Sequence, residues 1–334
     1  MKNPRKILLV RPDGLGDFIL SLPVARTLKD SFPGCEVHYL VSNRVIGIRP
    51  LVGYVDDWLV DDGRNRSRIS LPQLVKKVKL AGYSQIIELK PSWKTAMAGF
   101  LARAGNRIGT SRRLYSPLYN RTISVHRRGS GFHQTDLDLK LLMPMGIEVE
   151  GLLPSREVTE NARQMAAGLV GTTNREYIVI HPGSSGSAPN WPIENYQKLA
   201  EIILAETDYN VVITDRDKAN VGFTGCLDIS GRTDIETLAG IMNTASLFVS
   251  GSTGPLHLAD ALNVRCVSFF LNRDDIGPVR WGPRRNMEGV LTPADDCRCR
   301  NLRDCRCLER ISPIMAYKKI EGILLHKNDA TVGQ

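Results

Sequence analysis

Twice along its 334 residues the chain runs through the same alternation of short apolar runs and amphipathic stretches. That repeated β-α pattern limits the fold more than any other feature. Residues 6–10 are mostly apolar and end in a loop rich in Pro and Gly; residues 17–31 then carry Phe18, Leu22, Ala25 and Leu28 at helical spacing. Phe32-Pro33-Gly34 stops that helix, and a strand returns at 36–41. Further strands are expected at 58–60 and 84–89, with helices near 71–80, 93–104 and 134–145. Residues 151–175 are polar and weakly patterned, which reads as a linker. Beyond them the alternation restarts, with strands at 177–180, 210–214, 227–229, 247–250 and 265–270 and helices at 193–205, 235–243 and 254–262. Two such series imply two doubly wound parallel-sheet domains. Domains of this kind bind ligands beyond the carboxyl ends of their strands. The expected division is 1–155, a linker at 156–175, 176–312, and a closing segment at 313–334 whose helix is long enough to reach back onto the first domain.

A composition of 42% hydrophobic and 24% charged residues supports two real cores and excludes a disordered tail, a coiled coil or a fibre. No apolar run approaches the ~18 residues of a membrane span. The apolar run after the basic N-terminus is short of the roughly 7–15 residues of a secretory signal, so a cytoplasmic location is expected.

Net charge is +9, and the excess is local. Between Glu88 and Asp136 there is no acid but nine cations: Lys90, Lys94, Arg103, Arg107, Arg112, Arg113, Arg121, Arg127 and Arg128. Such a stretch is either a solvated basic face or a field that draws anionic ligands. Aromatic residues there lack base-stacking spacing, so nucleic acid is not the expected partner.

Three loops follow strands and open helices. The first, Arg11-Pro12-Asp13-Gly14-Leu15-Gly16-Asp17, has glycines for tight turns and an acid at the helix start, where Asp17 could cap the helix or act as a base. It fails as a dinucleotide fingerprint, because Ile19 stands where the third glycine belongs. The second runs from His181 through Ser184, Ser185 and Asn190 to Pro192; its small residues allow backbone and hydroxyl groups to approach a phosphate, or simply make a turn. It contains neither a Walker lysine nor a nucleophile elbow. In the third, Ser252 or Thr253 could cap a helix that opens with Gly254 and Pro255 and carries His257, presenting free N–H groups to an anion.

Taken together, "ILLVRPDGLGDFILSLPVARTLKDSFPG", "HPGSSGSAPNWPIENYQKLAEIIL" and "STGPLHLADALNVRCVSFF" resemble the family 9 glycosyltransferases, the bacterial heptosyltransferases of lipopolysaccharide core assembly. The resemblance implies a GT-B fold: two Rossmann-like domains, the first for acceptor and the second for nucleotide-sugar, with a cleft between them. It makes Asp17 the catalytic base, with Arg11, Gly16, Arg112 and Arg113 on the acceptor side. Donor contacts fall to Ser184, Ser185, Ser252, Thr253, Gly254 and His257, with no obligatory cofactor or metal. The implied reaction is inverting transfer of a sugar, heptose from ADP-heptose, onto an anionic glycolipid at the inner face of the inner membrane. Two departures bear on the donor: Pro189 and Asn190 replace a lysine common before the Trp-Pro pair, and Ser252 replaces an aspartate. Arg11, Arg216 or Arg273 could supply the missing cation. Another nucleotide-sugar, used for capsule or protein glycosylation, and a non-catalytic sugar-nucleotide binding module remain the alternative readings.

Of seven cysteines, four form Cys297-x-Cys299 and Cys305-x-Cys307. One intervening residue is short for a zinc site, and four interleaved arginines add positive charge around any cation while favouring thiolates. No metal is expected on that spacing; a structural metal or a redox-sensitive pair is the alternative the cluster leaves open. Cys35, Cys226 and Cys266 read as core residues.

Overall fold

A computed structural model describes residues 4–61, 69–126, 129–149, 158–171, 176–186, 188–217 and 222–331. The chain divides into two compact units, Met1–Pro154 and Ser155–Gln334.

The first unit is a six-stranded parallel sheet made of β1 (Lys6–Arg11), β2 (Glu36–Val41), β3 (Asp57–Val60), β4 (Gln85–Glu88), β5 (Asn106–Thr110) and β6 (Arg121–Ile123). Its helices are α1 (Leu15–Ser31), α2 (Leu71–Ala81), α3 (Trp93–Leu101) and α4 (Gln134–Leu139). Strand order is β3-β2-β1-β4-β5-β6, so the winding reverses between β1 and β4. In such sheets the crevice for ligands opens at that reversal, beyond the carboxyl ends of the strands. Ile7 to Val10 are essentially inaccessible, the continuous apolar run that a strand covered on both faces requires.

β5 and β6 were not expected from the sequence. β5 contributes Ile108 alone to the apolar core, and Gly109 is obligatory because a Cβ there would lie 2.5 Å from the Tyr119 ring. The helix expected at 93–104 stops at Leu101, and Arg103 takes a left-handed φ of 54°. The helix expected at 134–145 tightens into a 3-10 turn from Lys140 to Met145, where Pro144 has no N–H for an α-helical bond.

The second unit repeats the plan with β7 (Tyr177–His181), β8 (Asn210–Ile213), β9 (Leu227–Asp228), β10 (Leu247–Gly251), β11 (Cys266–Phe269) and β12 (Val290–Leu291). Its helices are α5 (Glu160–Val170), α6 (Ile193–Glu206), α7 (Ile235–Thr244), α8 (Gly254–Ala261), α9 (Pro278–Trp281) and α10 (Pro313–Thr331). Order is β12-β11-β10-β7-β8-β9, reversing between β7 and β10.

One expectation needs correction here. The expected linker contains α5, capped by the Thr159 hydroxyl on Ala162 N, with Ala162 and Ala166 buried. It packs on α7, whose Gly240 lies so close to the Ala162 carbonyl that no side chain fits. Small residues made this contact, which is why it left no apolar stripe in the sequence. The closing helix α10 has Ala316 and Ile320 in the core of the second unit, against α6 and β11. No described helix is long and apolar enough to cross a membrane.

Candidate active site

In the first unit, Arg11 ends β1 at the reversal point and is only 1% exposed. Its guanidinium donates to the Leu89 carbonyl just beyond β4 (3.1 Å) and to the Asp17 carbonyl (3.2 Å). It also pairs with Asp17 Oδ1 at 3.1 Å, Asp138 Oδ1 at 3.4 Å and Asp13 Oδ2 at 3.5 Å. Burial opposes its charge, but Asp138, Asp17 and Asp13 outweigh that and raise its pKa. The side chain is therefore internal rather than an acceptor contact, contrary to the sequence-based expectation.

The N-cap of α1 is Gly14, without a side-chain cap bond, and Asp17 sits in the first turn. Its carboxylate is one-third exposed and oriented by Arg11. The loop before it is tied down: Ser42 Oγ donates to the Asp13 carbonyl at 2.8 Å, and Lys90 Nζ lies 3.4 Å from Asp13 Oδ1. Asp138 comes from α4, where Gln134 Nε2 also donates to its Oδ1 at 2.8 Å. Asp138 was not singled out in the sequence, although an acid between Leu137 and Leu139 on a buried helix face is a readable signal.

Glu88 is a second acid missed in the sequence. It ends the apolar strand β4, accepts from Ser92 N at 3.0 Å and Tyr119 OH at 2.9 Å, and is 1% exposed. Burial raises its pKa to about 7 against those hydrogen bonds.

The basic window does not form one surface. Lys94 is buried on Asp61 at 2.7 Å, Arg107 donates to the Leu118 and Ala104 carbonyls, and Arg121 donates to the Pro144 carbonyl. Arg112 and Arg113 remain exposed in the loop beyond β5, with Arg112 Nη1 2.7 Å from His126 Nε2. Arg127 and Arg128 lie outside the described residues.

In the second unit, two loops leave adjacent strands at the reversal point, with Ser250 paired to His181 across β10 and β7. His181 is buried, with Nδ1 3.1 Å from Thr214 Oγ1. Burial lowers its pKa to about 4 although Asp215 opposes the shift. Ser184 and Ser185 are exposed, while Ser252 is half-buried. Asn190 braces the two loops: its Nδ2 donates to the Pro182 carbonyl, its Oδ1 accepts from Tyr196 OH at 3.4 Å, and the same oxygen packs against Gly251. Trp191 is core, stacked on Phe269 at 4.0 Å with Nε1 donating to the Ile311 carbonyl.

Thr253 occupies the N-cap of α8, yet its side chain makes no cap bond. Its Oγ1 is buried without a hydrogen-bond partner among the described residues. Gly254 opens the helix, Pro255 sits in its first turn, and His257 is buried on it. A helix N-terminus with its own cap unused leaves N–H groups available for an anion. Of the arginines considered as phosphate cations, Arg273 is taken by Asp275 at 2.6 Å and the Cys299 carbonyl, and Arg216 is exposed beyond β8 beside Asp217.

The sequence model of glycosyltransferase family 9 (heptosyltransferase) matches residues 72–305. The chain belongs to glycosyltransferase family 9. It is accordingly a glycosyltransferase, and its two doubly wound six-stranded units are of GT-B class. Lipooligosaccharide heptosyltransferase 2 of Haemophilus ducreyi is 23% identical over 77% of this chain and 80% of its own. Among solved structures, the glycosyl transferase family 9 of Veillonella parvula superposes with a TM-score of 0.80 at 18% identity, covering 98% of this chain and 99% of its own. The E. coli ADP-heptose lps heptosyltransferase II gives 0.78 at 18% identity, covering 97% and 99%.

Proposed function

We propose that this family 9 glycosyltransferase transfers heptose from ADP-heptose, with inversion, onto a lipopolysaccharide-core-type acceptor. The observation that carries the reading is the Arg11–Asp17 pair at the reversal point of the first sheet: a carboxylate partly open to solvent and fixed by a buried cation. Asp17 takes the proton of the acceptor hydroxyl as its oxygen attacks the anomeric carbon. The bond from that carbon to the diphosphate breaks, and the nucleoside diphosphate leaves with the bonding pair. Negative charge developing there is met by the amides at the start of α8 and by the Thr253 hydroxyl, which need no metal ion for the task. Ser252, Ser184, Ser185 and His257 belong to the same donor side, and Gly16, Arg112 and Arg113 to the acceptor side. The acceptor is an anionic glycolipid met at the cytoplasmic face of the membrane, which gives the two exposed arginines a counter-charge.

Thermal unfolding with ADP, UDP, GDP and CDP at matched concentration tests the donor. A ligand at a hundred times its Kd stabilises by about 2.7 kcal/mol. Selective stabilisation by ADP, followed by ADP release from ADP-heptose when a core acceptor is added, is the expected result. Selective stabilisation by UDP or GDP overturns the donor, and silence from all four overturns the catalytic reading.

A further inference from the structure

The second unit contains a cluster that the transfer reaction does not use. The Sγ atoms of Cys297, Cys299, Cys305 and Cys307 all lie within 4.8 Å of one another. Cys297 Sγ is 3.5 Å from Cys305 Sγ, and Cys299 Sγ is 3.8 Å from Cys307 Sγ. These separations are far beyond the ~2.05 Å of a disulfide bond. They match the edges of a tetrahedron of thiolates around one metal: at a Zn–S distance of about 2.3 Å, tetrahedral geometry spaces the sulfurs about 3.8 Å apart. An iron–sulfur cluster puts each pair of thiolates, or each thiolate, on a different iron and spreads the set further.

We propose that these four cysteines bind a single thiophilic divalent ion, Zn2+ or Fe2+, in a closed tetrahedral S4 site. The donor set is specific to this ion class, since four soft thiolates in a tetrahedron suit neither magnesium nor calcium. Simple core packing of thiols does not require all four sulfurs to converge on one point. Two disulfides would need only pairwise approach, and here the pairs also approach each other.

The surroundings are built to hold the set. The backbone of Cys297 donates to the Asn272 carbonyl at 2.9 Å, and Arg273 Nη1 donates to the Cys299 carbonyl at 2.7 Å. Cys305 N bonds back to the Leu302 carbonyl at 3.4 Å, closing the turn between the two Cys-x-Cys segments. Cys297 lies in the core while Cys299 and Cys307 line an open cleft of about 710 Å³, which gives an ion a way in. The arginines reverse their apparent meaning: four thiolates and one divalent ion carry a net charge of −2. Arg298, Arg300, Arg303 and Arg306, interleaved with the cysteines along the chain, then accompany an anionic centre rather than a bare cation.

Such an ion would close the 297–307 segment onto the second unit. The chain then runs directly to Leu308 and Ile311, both in the core, and the Ile311 carbonyl receives the Trp191 indole. The metal would thus hold in place the segment that anchors the Trp191 loop.

The test is metal analysis of the full chain, purified under reducing conditions without chelator, together with Co2+ titration of the metal-free, fully reduced protein. About one equivalent of zinc or iron per chain is expected, and elemental analysis tells the two apart. Cobalt should give tetrahedral d–d bands and thiolate-to-cobalt charge transfer saturating at one equivalent, and metal release should expose four further thiols to a thiol reagent. The Cys297→Ser/Cys305→Ser variant should lose both the bound metal and the cobalt bands. Reduced wild-type protein that carries no metal and gives no cobalt bands overturns the proposal. So does a denatured, unreduced chain with only three titratable thiols, which would mean two disulfides instead. Neither reading depends on the variant folding.

Discussion

Arg11 and Asp138 stand 127 positions apart in the chain, yet Arg11 Nη1 lies 3.4 Å from Asp138 Oδ1 and both side chains are sealed from water. A buried guanidinium needs its counter-charges, because removing one partner leaves an uncompensated charge in a poorly solvating interior. Asp138→Ala should therefore destabilise the protein by about 3–5 kcal/mol in urea unfolding. Asp138→Asn, which keeps an oxygen acceptor, should cost less. A loss for Asp138→Ala no larger than the ~1 kcal/mol of an exposed pair would show that Asp13 and Asp17 suffice.

Asp17→Asn separates chemistry from architecture. The amide oxygen can still accept from Arg11 Nη2, so stability should fall by less than in Asp138→Ala, although one counter-charge of the buried guanidinium is lost. Loss of the base should lower kcat by about 10²–10⁴-fold with donor binding retained. Full turnover in this variant would move the base elsewhere.

Thr253→Val removes a buried hydroxyl that has no hydrogen-bond partner among the described residues, so it forfeits no internal bond and stability should hold. A hydrogen bond from that hydroxyl to a charged phosphate is worth about 1.5–3 kcal/mol, so donor KM should rise roughly 10- to 100-fold. Unchanged donor KM would take Thr253 out of the site.

Replacing Arg112 and Arg113 by alanine should raise acceptor KM while leaving nucleotide affinity as it was. Both are exposed, so folding should be insensitive to the change. Equal losses for both substrates would contradict an acceptor role.

Two buried groups set opposite limits on pH. The Glu88 carboxyl, pushed by burial from 4.5 to about 7, keeps its proton in the folded chain after the unfolded chain has lost it. Stability therefore falls as pH rises through that window and levels off above it. Glu88→Gln keeps an acceptor for Tyr119 and should gain about 2–3 kcal/mol relative to the parent between pH 5 and pH 8. His181 acts the other way: its pKa, lowered from 6.5 to about 4, means that only the unfolded chain charges in that range. Stability then falls as pH drops from 6.5 to 4, a loss that His181→Gln should remove in acid unfolding curves.

The strands that the sequence made plain are those buried on both faces. β1, β7 and β10 are runs of apolar residues, which no other element of that length explains. β5 and β6 hid because edge-ward strands carry polar residues, and α5 hid because its contact with α7 is made by Ala162, Ala166 and Gly240 rather than by large side chains. Of the candidate site, Asp17, Thr253 and Gly254 were legible from their position just after a strand. The Arg11 network was not, because Asp138 reaches it from a distant helix.

The sequence by itself determined the two series of β-α units, the three loops at strand ends and the family, since period, turn residues and motif spacing are local properties of the chain. Only the tertiary structure decided which charges are used inside and which face solvent. It buried Arg11 among three carboxylates, gave Lys94 to Asp61 and left Arg112 and Arg113 outside. It also brought four thiols within 4.8 Å of one another, a convergence that the Cys-x-Cys spacing, short for a zinc site, does not reveal. Burial and convergence depend on distances between residues remote in sequence, and those exist only once the sheets have closed over their cores.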